Sequence, residues 1–214
     1  MRILTGPLSG AKWIVGAGIH GCWLGSFEFE KQRALETVVK PGMVVYDIGA
    51  HAGFYSLFFS RLVGPAGQVW AFEPNIDNAA YLLKHLHLNR IANVTAVPVA
   101  VGAAPQLGHF QIGADSYVGH LAPEGDYRIP TLSLDELIHQ HAAPPPDLIK
   151  IDVEGAEAAV LAGAAELLRE HRPIVFVAFH SDGLAIECSN RLQALGYHLH
   201  PVANLPSEVY ALPA

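Results

Sequence analysis

Val44-Val45-Tyr46-Asp47-Ile48-Gly49-Ala50-His51-Ala52-Gly53-Phe54-Tyr55-Ser56, followed by Val69-Trp70-Ala71-Phe72-Glu73-Pro74, decides the reading of this chain. An apolar run ends in an acid and a glycine-containing loop. A helix-like segment follows, and a second apolar run ends in another acid. That is the pattern of a βαβ unit, whose strands hold an adenosine-containing cofactor at their open carboxyl ends. Gly49 permits the sharp turn after the strand, and Gly53 lets the next helix pack closely. His51 stands where a left-handed backbone is needed, which His and Asn tolerate better than most residues.

The same alternation extends outward from this unit. Residues 1–40 read as an N-terminal extension or cap, with a short helix over Glu30–Val39 that Lys40-Pro41-Gly42 stops. Residues 41–214 read as one domain. Strand signals at Val44–Ile48, Val69–Phe72, Val94–Ala100, Leu148–Val153, Ile174–Phe179 and Tyr197–Val202 alternate with helical ones. The helices are expected at Phe54–Leu62, from a cap at Asp77 to about Asn89, at Leu132–His139 with Ser133 as cap, at Glu157–Leu168 and at Leu184–Leu195. From Gly102 to Ile129 short apolar runs and Gly-rich turns suggest a β excursion. The whole is an α/β, Rossmann-like fold: a mostly parallel central sheet with helices on both faces. No internal repeat interrupts it, and Ala143-Pro144-Pro145-Pro146 reads as a stiff lead into a strand.

The loop chemistry argues against a dinucleotide. Gly49 and Gly53 do not make the G-x-G-x-x-G spacing, no P-loop lysine follows, and Asp47 immediately before the loop repels a pyrophosphate. The ammonium of an S-adenosylmethionine tail is the better match for that acid. Glu73 ends the second strand, 20 residues past Gly53. There a carboxylate can accept hydrogen bonds from both ribose hydroxyls of an adenosine. Together the two acids point to a class I methyltransferase architecture.

At this point a resemblance appears. The chain resembles the FkbM family of S-adenosylmethionine-dependent methyltransferases over roughly residues 23–200. It is carried by Trp23-Leu24-Gly25-Ser26-Phe27-Glu28, by Asp47 to Ser56, by Ala71-Phe72-Glu73-Pro74-Asn75, and most specifically by Asp147-Leu148-Ile149-Lys150-Ile151-Asp152-Val153-Glu154-Gly155-Ala156-Glu157. The resemblance implies S-adenosylmethionine as methyl donor, S-adenosylhomocysteine as product, and O-methylation of a hydroxyl on a sugar or natural product. The expected cofactor residues are Glu28, Asp47, Gly49, Ala50, His51, Gly53, Tyr55, Ser56, Glu73, Pro74, Ala100, Val101 and Asp152. Two departures stand out. His51 replaces the usual Asn, and Ala178 stands where the family commonly has a Glu, two residues before His180.

Methyl transfer to a hydroxyl requires alignment and a proton acceptor. His180 is the preferred general base, because an ordinary imidazole titrates near neutrality, with Asp152 as the alternative. A divalent metal held by Asp152, Glu154 and Asp182 is the rival mechanism, but no compact ligand motif fixes those acids, and no metal residue is assigned. Acceptor recognition is expected from residues 102–130, including Asp115, Ser116, Tyr117 and His120, and from Trp13 and Trp23.

Composition narrows the partners. Hydrophobic residues make up 51% and charged residues 15% of 214, so a large buried core is expected. A net charge of −7 with no Lys/Arg block argues against nucleic acid. No run reaches membrane-spanning length, no clean secretion signal opens the chain, and Cys22 and Cys188 form no CxxC, so a cytoplasmic protein acting on a small molecule or glycan is expected. A homodimer remains open. The competing functions are an NAD- or nucleotide-sugar-dependent oxidoreductase and a non-catalytic cofactor-binding module.

Overall fold

A computed structural model describes residues 1–113, 119–141 and 143–214; Asp115, Ser116 and Tyr117 lie outside the described residues. The chain opens with an Arg2–Lys12 bridge and two helices, α1 (His20–Leu24) and α2 (Phe29–Val38). The expected βαβ unit follows as β1 (Val44–Ile48), α3 (Phe54–Val63) and β2 (Gln68–Phe72). Helix α4 (Ile76–Asn89) begins two residues earlier than anticipated. Its cap is Asn75, whose side chain accepts from the N–H groups of Asp77 and Asn78; Asp77 sits in the first turn instead.

The single strand expected over Val94–Ala100 is two, β3 (Val94–Val97) and β4 (Ala100–Val101). Pro98 offers no N–H to continue a ladder, and the two pieces join different sheets. The β excursion forms β5 (Gln106–Ile112), β6 (Gly119–Ala122) and β7 (Tyr127–Leu132), which with β4 make a four-stranded sheet. Helix α5 (Leu134–His141) and β8 (Leu148–Ile151) come next. The helix expected over Glu157–Leu168 is split into α6 (Glu157–Ala162) and α7 (Ala165–Glu170). Gly163 presses on the Gly102 carbonyl, where a Cβ would lie 2.1 Å away. The Asp135 carboxylate then accepts the N–H groups of Glu166 and Leu167, starting the second helix. The chain ends with β9 (Ile174–Ala178), α8 (Asp182–Ala194), β10 (Tyr197–Val202) and the unanticipated β11 (Leu205–Pro213).

The main sheet runs β10-β11-β9-β8-β1-β2-β3. All pairs from β9 to β3 are parallel, and β11 is antiparallel to both its neighbours. One face buries Val45, Val69, Ala71 and Leu148 against α3, α4 and the N-terminal segment. The other buries Tyr46, Ile149, Ile151, Val175 and Val177 against α5 to α8. Among the described residues, no helix is long and apolar enough to cross a membrane.

Residues 1–40 share the first of these cores: Ile3, Leu8, Trp13, Cys22 and Leu35 pack with the sheet residues. His85, buried on α4, fastens them. Its Nδ1 lies 2.7 Å from the Ala52 carbonyl, the Ile14 N–H donates to its Nε2 at 3.0 Å, and Trp13 stacks on its ring at 4.0 Å. Those partners require a neutral ring protonated on Nδ1, and burial lowers its pKa below the ordinary 6.5. An unfolded chain takes up a proton there that the folded chain refuses, so this contribution to stability is complete above pH 6.5 and is lost as pH falls through the lowered folded value. His85→Leu should cost about 1–3 kcal/mol at pH 7 by leaving the Ile14 N–H unpaired. Its melting temperature should also fall less between pH 7 and 5 than that of the parent, measured by thermal melts across that range.

Candidate active site

The loop between β1 and α3 is tied to the end of β2. The N–H groups of Gly49 and Ala50 both donate to the Phe72 carbonyl at 3.0 Å. Gly49 has φ +79°, and a Cβ there would lie 1.8 Å from the Asp152 carbonyl oxygen, so only glycine lets β1 and β8 end side by side. His51 adopts φ +51° as its position required. Above these strand ends lies a cavity of about 430 Å³.

Glu73 lines one part of it. Its Oε2 accepts the His51 N–H at 2.7 Å and its Oε1 the Asn75 N–H at 2.8 Å. Each oxygen keeps further acceptor capacity, which suits a vicinal diol. Burial pushes the Glu73 carboxyl up to about 7, against the pull of the two N–H groups and of a hydrogen bond with the Asn78 side chain. Ile48, Phe72, Val99 and Val101 supply apolar walls beside it. A polar diol acceptor among apolar walls fits an adenosyl group.

The opposite part of the cavity is held by two buried lysines. Lys31, on α2, is 1% exposed and lies 2.8 Å from Glu28, 2.8 Å from Glu208 and 3.2 Å from Asp152. Lys150 follows from strand register: it is the partner of Asp47 across β1 and β8. Its Nζ lies 3.2 Å from Asp47 and 3.7 Å from Asp152, and it donates to the Gly49 carbonyl at 3.3 Å. Burial opposes charge on both lysines, yet their carboxylates outweigh it and raise both pKa values. For Asp152, burial raises the pKa, but Lys150 and Lys31 prevail and hold it below the usual range. The Tyr55 ring lies between the ammonium groups, 5.6 Å from Lys31 and 5.2 Å from Lys150, and its hydroxyl donates to Glu28 at 2.9 Å.

His180 follows β9. Its Nδ1 lies 2.7 Å from Glu157 Oε1, and its Nε2 lies 3.4 Å from Glu154 and 3.7 Å from Asp152. Hydrogen bonds to Glu154 and Glu157 raise its pKa to about 10. The expectation of an imidazole titrating near neutrality is therefore corrected: three carboxylates hold it as an imidazolium. The bond with His180 in turn holds Glu154 below the ordinary carboxylate range.

Of the residues expected at the cofactor, Glu28, Gly49, Ala50, His51, Tyr55, Glu73, Pro74, Ala100, Val101 and Asp152 line the cavity, as does His180. Asp47, Gly53 and Ser56 stand behind the lining. Asp47 is fully buried, accepts the Ser56 hydroxyl at 2.7 Å and is matched by Lys150, so it does not face a ligand ammonium. Gly53 packs against Leu82. His120 lines the cavity, but Trp13 is buried under His85 and Trp23 lies outside the lining. Asp182 begins α8 as an exposed residue and does not join Asp152 and Glu154. Among the described residues, no group of three or more His, Cys, Asp or Glu side chains is arranged to hold a metal ion.

Lys31 and Glu208 escaped the sequence reading. Glu208 is the register partner of Ala178 across β9 and β11, a neighbour relation that only the fold reveals. It places a carboxylate beside the position where the resemblance led to a Glu.

Sheet order, loop and cavity define the Rossmann-like fold of class I, S-adenosylmethionine-dependent methyltransferases. Comparison with known proteins agrees. The family described as Methyltransferase FkbM domain matches residues 47–199, and the chain belongs to it. The expected family and fold are thereby borne out. A curated relative, the hexuronic acid methyltransferase AglP of Haloferax volcanii, is 29% identical over 142 residues, covering 64% of this chain and 56% of that protein. The crystal structure of methyltransferase FkbM from Methylobacillus flagellatus KT superposes with a TM-score of 0.60 at 18% identity, covering 89% of this chain and 52% of that one. Aeropyrum pernix fibrillarin, solved with natively bound S-adenosyl-L-methionine, gives 0.57 at 14% identity, covering 85% of this chain and 73% of that one. This chain thus spans only about half the length of the curated relative and of the FkbM structure.

Removing Lys31 leaves three carboxyl groups without their shared cation. Lys31→Met should destabilise the protein by about 3–5 kcal/mol, and Lys31→Arg by less, measured by urea denaturation.

Proposed function

We propose that this protein is an S-adenosylmethionine-dependent methyltransferase that methylates a hydroxyl oxygen of a sugar. One observation carries the reading: a single cavity joins the Glu73 diol acceptor to the carboxylate-held His180. The family match supports methyl transfer, and the name of the curated relative supports a sugar acceptor. S-adenosylmethionine supplies, when bound, an electrophilic methyl group on a sulfonium. Glu73 would hold the ribose hydroxyls, while Gly49, Ala50 and the apolar strand ends enclose the rest. Glu28 and Asp152 present carboxylates to the cationic end of the cofactor.

His180 is proposed to accept the hydroxyl proton at Nε2, with Glu157 fixing the ring through Nδ1. A cation bound beside Asp152 and Glu28 opposes the imidazolium charge, so cofactor binding should lower the His180 pKa from about 10. Asp152 remains the second acceptor, made a weak base by its two lysines.

Thermal melts with S-adenosylhomocysteine and with NAD test the cofactor. Only the adenosyl ligand should raise the melting temperature; a shift with NAD alone would sink the reading. Glu73 must be ionised to accept both hydroxyls, so adenosyl-ligand affinity should rise as pH increases through about 7. Glu73→Gln should bind more weakly and lose that pH dependence, seen by calorimetry at pH 6 and 8.

Turnover should also increase with pH on the alkaline side of neutrality, because a base with a raised pKa is mostly protonated below it. His180→Ala should flatten that rise and cut the rate by about 100-fold or more, with cofactor affinity little changed. An unaltered rate profile would remove the role of His180.

A further inference from the structure

The curated relative is named for a hexuronic acid, a sugar that is anionic at neutral pH. The cavity described above is charged unfavourably for such a guest. We infer that the acceptor of this protein is an amino sugar or, in second place, an uncharged sugar, and not a uronic acid. The inference rests on the sugar-methyltransferase reading and specifies its substrate class.

The two lysines at the site are already surrounded by acceptors of the protein's own. A lysine ammonium has three N–H bonds, and Lys31 is already placed against three carboxyl groups at 2.8, 2.8 and 3.2 Å. Lys150 is likewise taken up by Asp47, Asp152 and the Gly49 carbonyl. Their side chains are only 2% and 3% exposed. Glu154 is 45%, Glu28 30% and Asp152 22% exposed, and His180, paired with Glu154 and Glu157, is 28% exposed. A ligand entering the cavity therefore meets carboxylate oxygens and an already paired imidazolium before it meets the lysine ammonium groups.

The balance of charge points the same way. Among the described residues, Glu28, Asp47, Asp152, Glu154, Glu157 and Glu208 gather around Lys31, Lys150 and His180. Burial pushes the Glu208 carboxyl up, yet without it the acids still outnumber the cations. The single net positive charge of a bound S-adenosylmethionine does not cancel that excess. His120 also lines the cavity.

A second observation is independent of the charge count. Glu208 lines the cavity and is 6% exposed, and its Oε2 is buried without a hydrogen-bond partner. Such an oxygen is costly to leave unmatched. A ligand hydroxyl or ammonium would satisfy it, whereas a ligand carboxylate has no proton to donate.

The test uses the whole chain saturated with S-adenosylhomocysteine. Methyl glycosides of glucosamine, glucose and glucuronic acid are titrated at pH 7 and low salt. The expected order of affinity is glucosamine, glucose, glucuronic acid, with about tenfold or more between the first and last. Glucuronide binding equal to or tighter than glucosaminide overturns the inference, as does the absence of binding by all three. Glu154→Gln should narrow the gap between the amino sugar and the uronic acid; an unchanged gap also overturns it. Binding of S-adenosylhomocysteine is measured first by itself. Its failure counts against the methyltransferase reading, while the order of the three sugars on the free protein still decides the charge preference.

Discussion

Two lysines buried at the rim of the main sheet hold the site together. An ammonium group removed from water is strongly disfavoured unless carboxylates surround it. Lys31 and Lys150 meet that demand by drawing on Glu28, Asp47, Asp152 and Glu208. These groups come from the N-terminal segment, β1, the end of β8, and β11. None of these elements can shift without exposing an unmatched charge to an apolar interior. The Tyr55 ring lies within cation–π distance of both ammonium groups and adds a further favourable contact to each. The first forty residues are consequently part of the site, since Lys31 arrives on α2.

This dependence also explains how far the sequence could be read. The βαβ unit was visible because a buried strand leaves an unbroken apolar run and because Gly49 and Gly53 occupy positions that exclude a Cβ. Ser133 was recognisable as a cap, and the Glu136 N–H does donate to it at 3.2 Å. The helix break at Gly163 was hidden because its cause, the Asp135 carboxylate, lies about thirty residues away in the chain. Strand β11 was hidden because Pro206, Ser207 and Glu208 interrupt its apolar alternation. Lys31 was hidden for a related reason. Its contact with Asp152 spans 121 residues, and no local periodicity records such a pairing.

Residue type likewise predicts chemistry only up to its surroundings. Glu73 and His180 were read with their ordinary titration ranges in mind, and both are displaced upward for opposite reasons. Desolvation disfavours the charged form of Glu73, whereas hydrogen bonds to carboxylates favour the charged form of His180. Near neutrality the first therefore exchanges its proton readily, and the second retains it. A cation placed between them acts on both in the same direction, since it favours an ionised Glu73 and a deprotonated His180. Under the proposed function, cofactor binding and proton acceptance would be coupled through that shared electrostatic response.

Ala178 shows how the rim tolerates change. The resemblance led to a carboxylate at that position on β9, where this chain has Ala178. Glu208 is registered directly opposite on β11, so its side chain leaves the sheet on the same face. Glu208 lies 2.8 Å from Lys31, and the strand that carries it pairs directly with β9. An antiparallel last strand makes that placement possible, because it returns the chain to the carboxyl ends of its parallel neighbours. One oxygen of Glu208 has no hydrogen-bond partner, whereas both oxygens of Glu73 accept a backbone N–H. The acid that neutralises Lys31 therefore also presents an open acceptor to whatever binds above it.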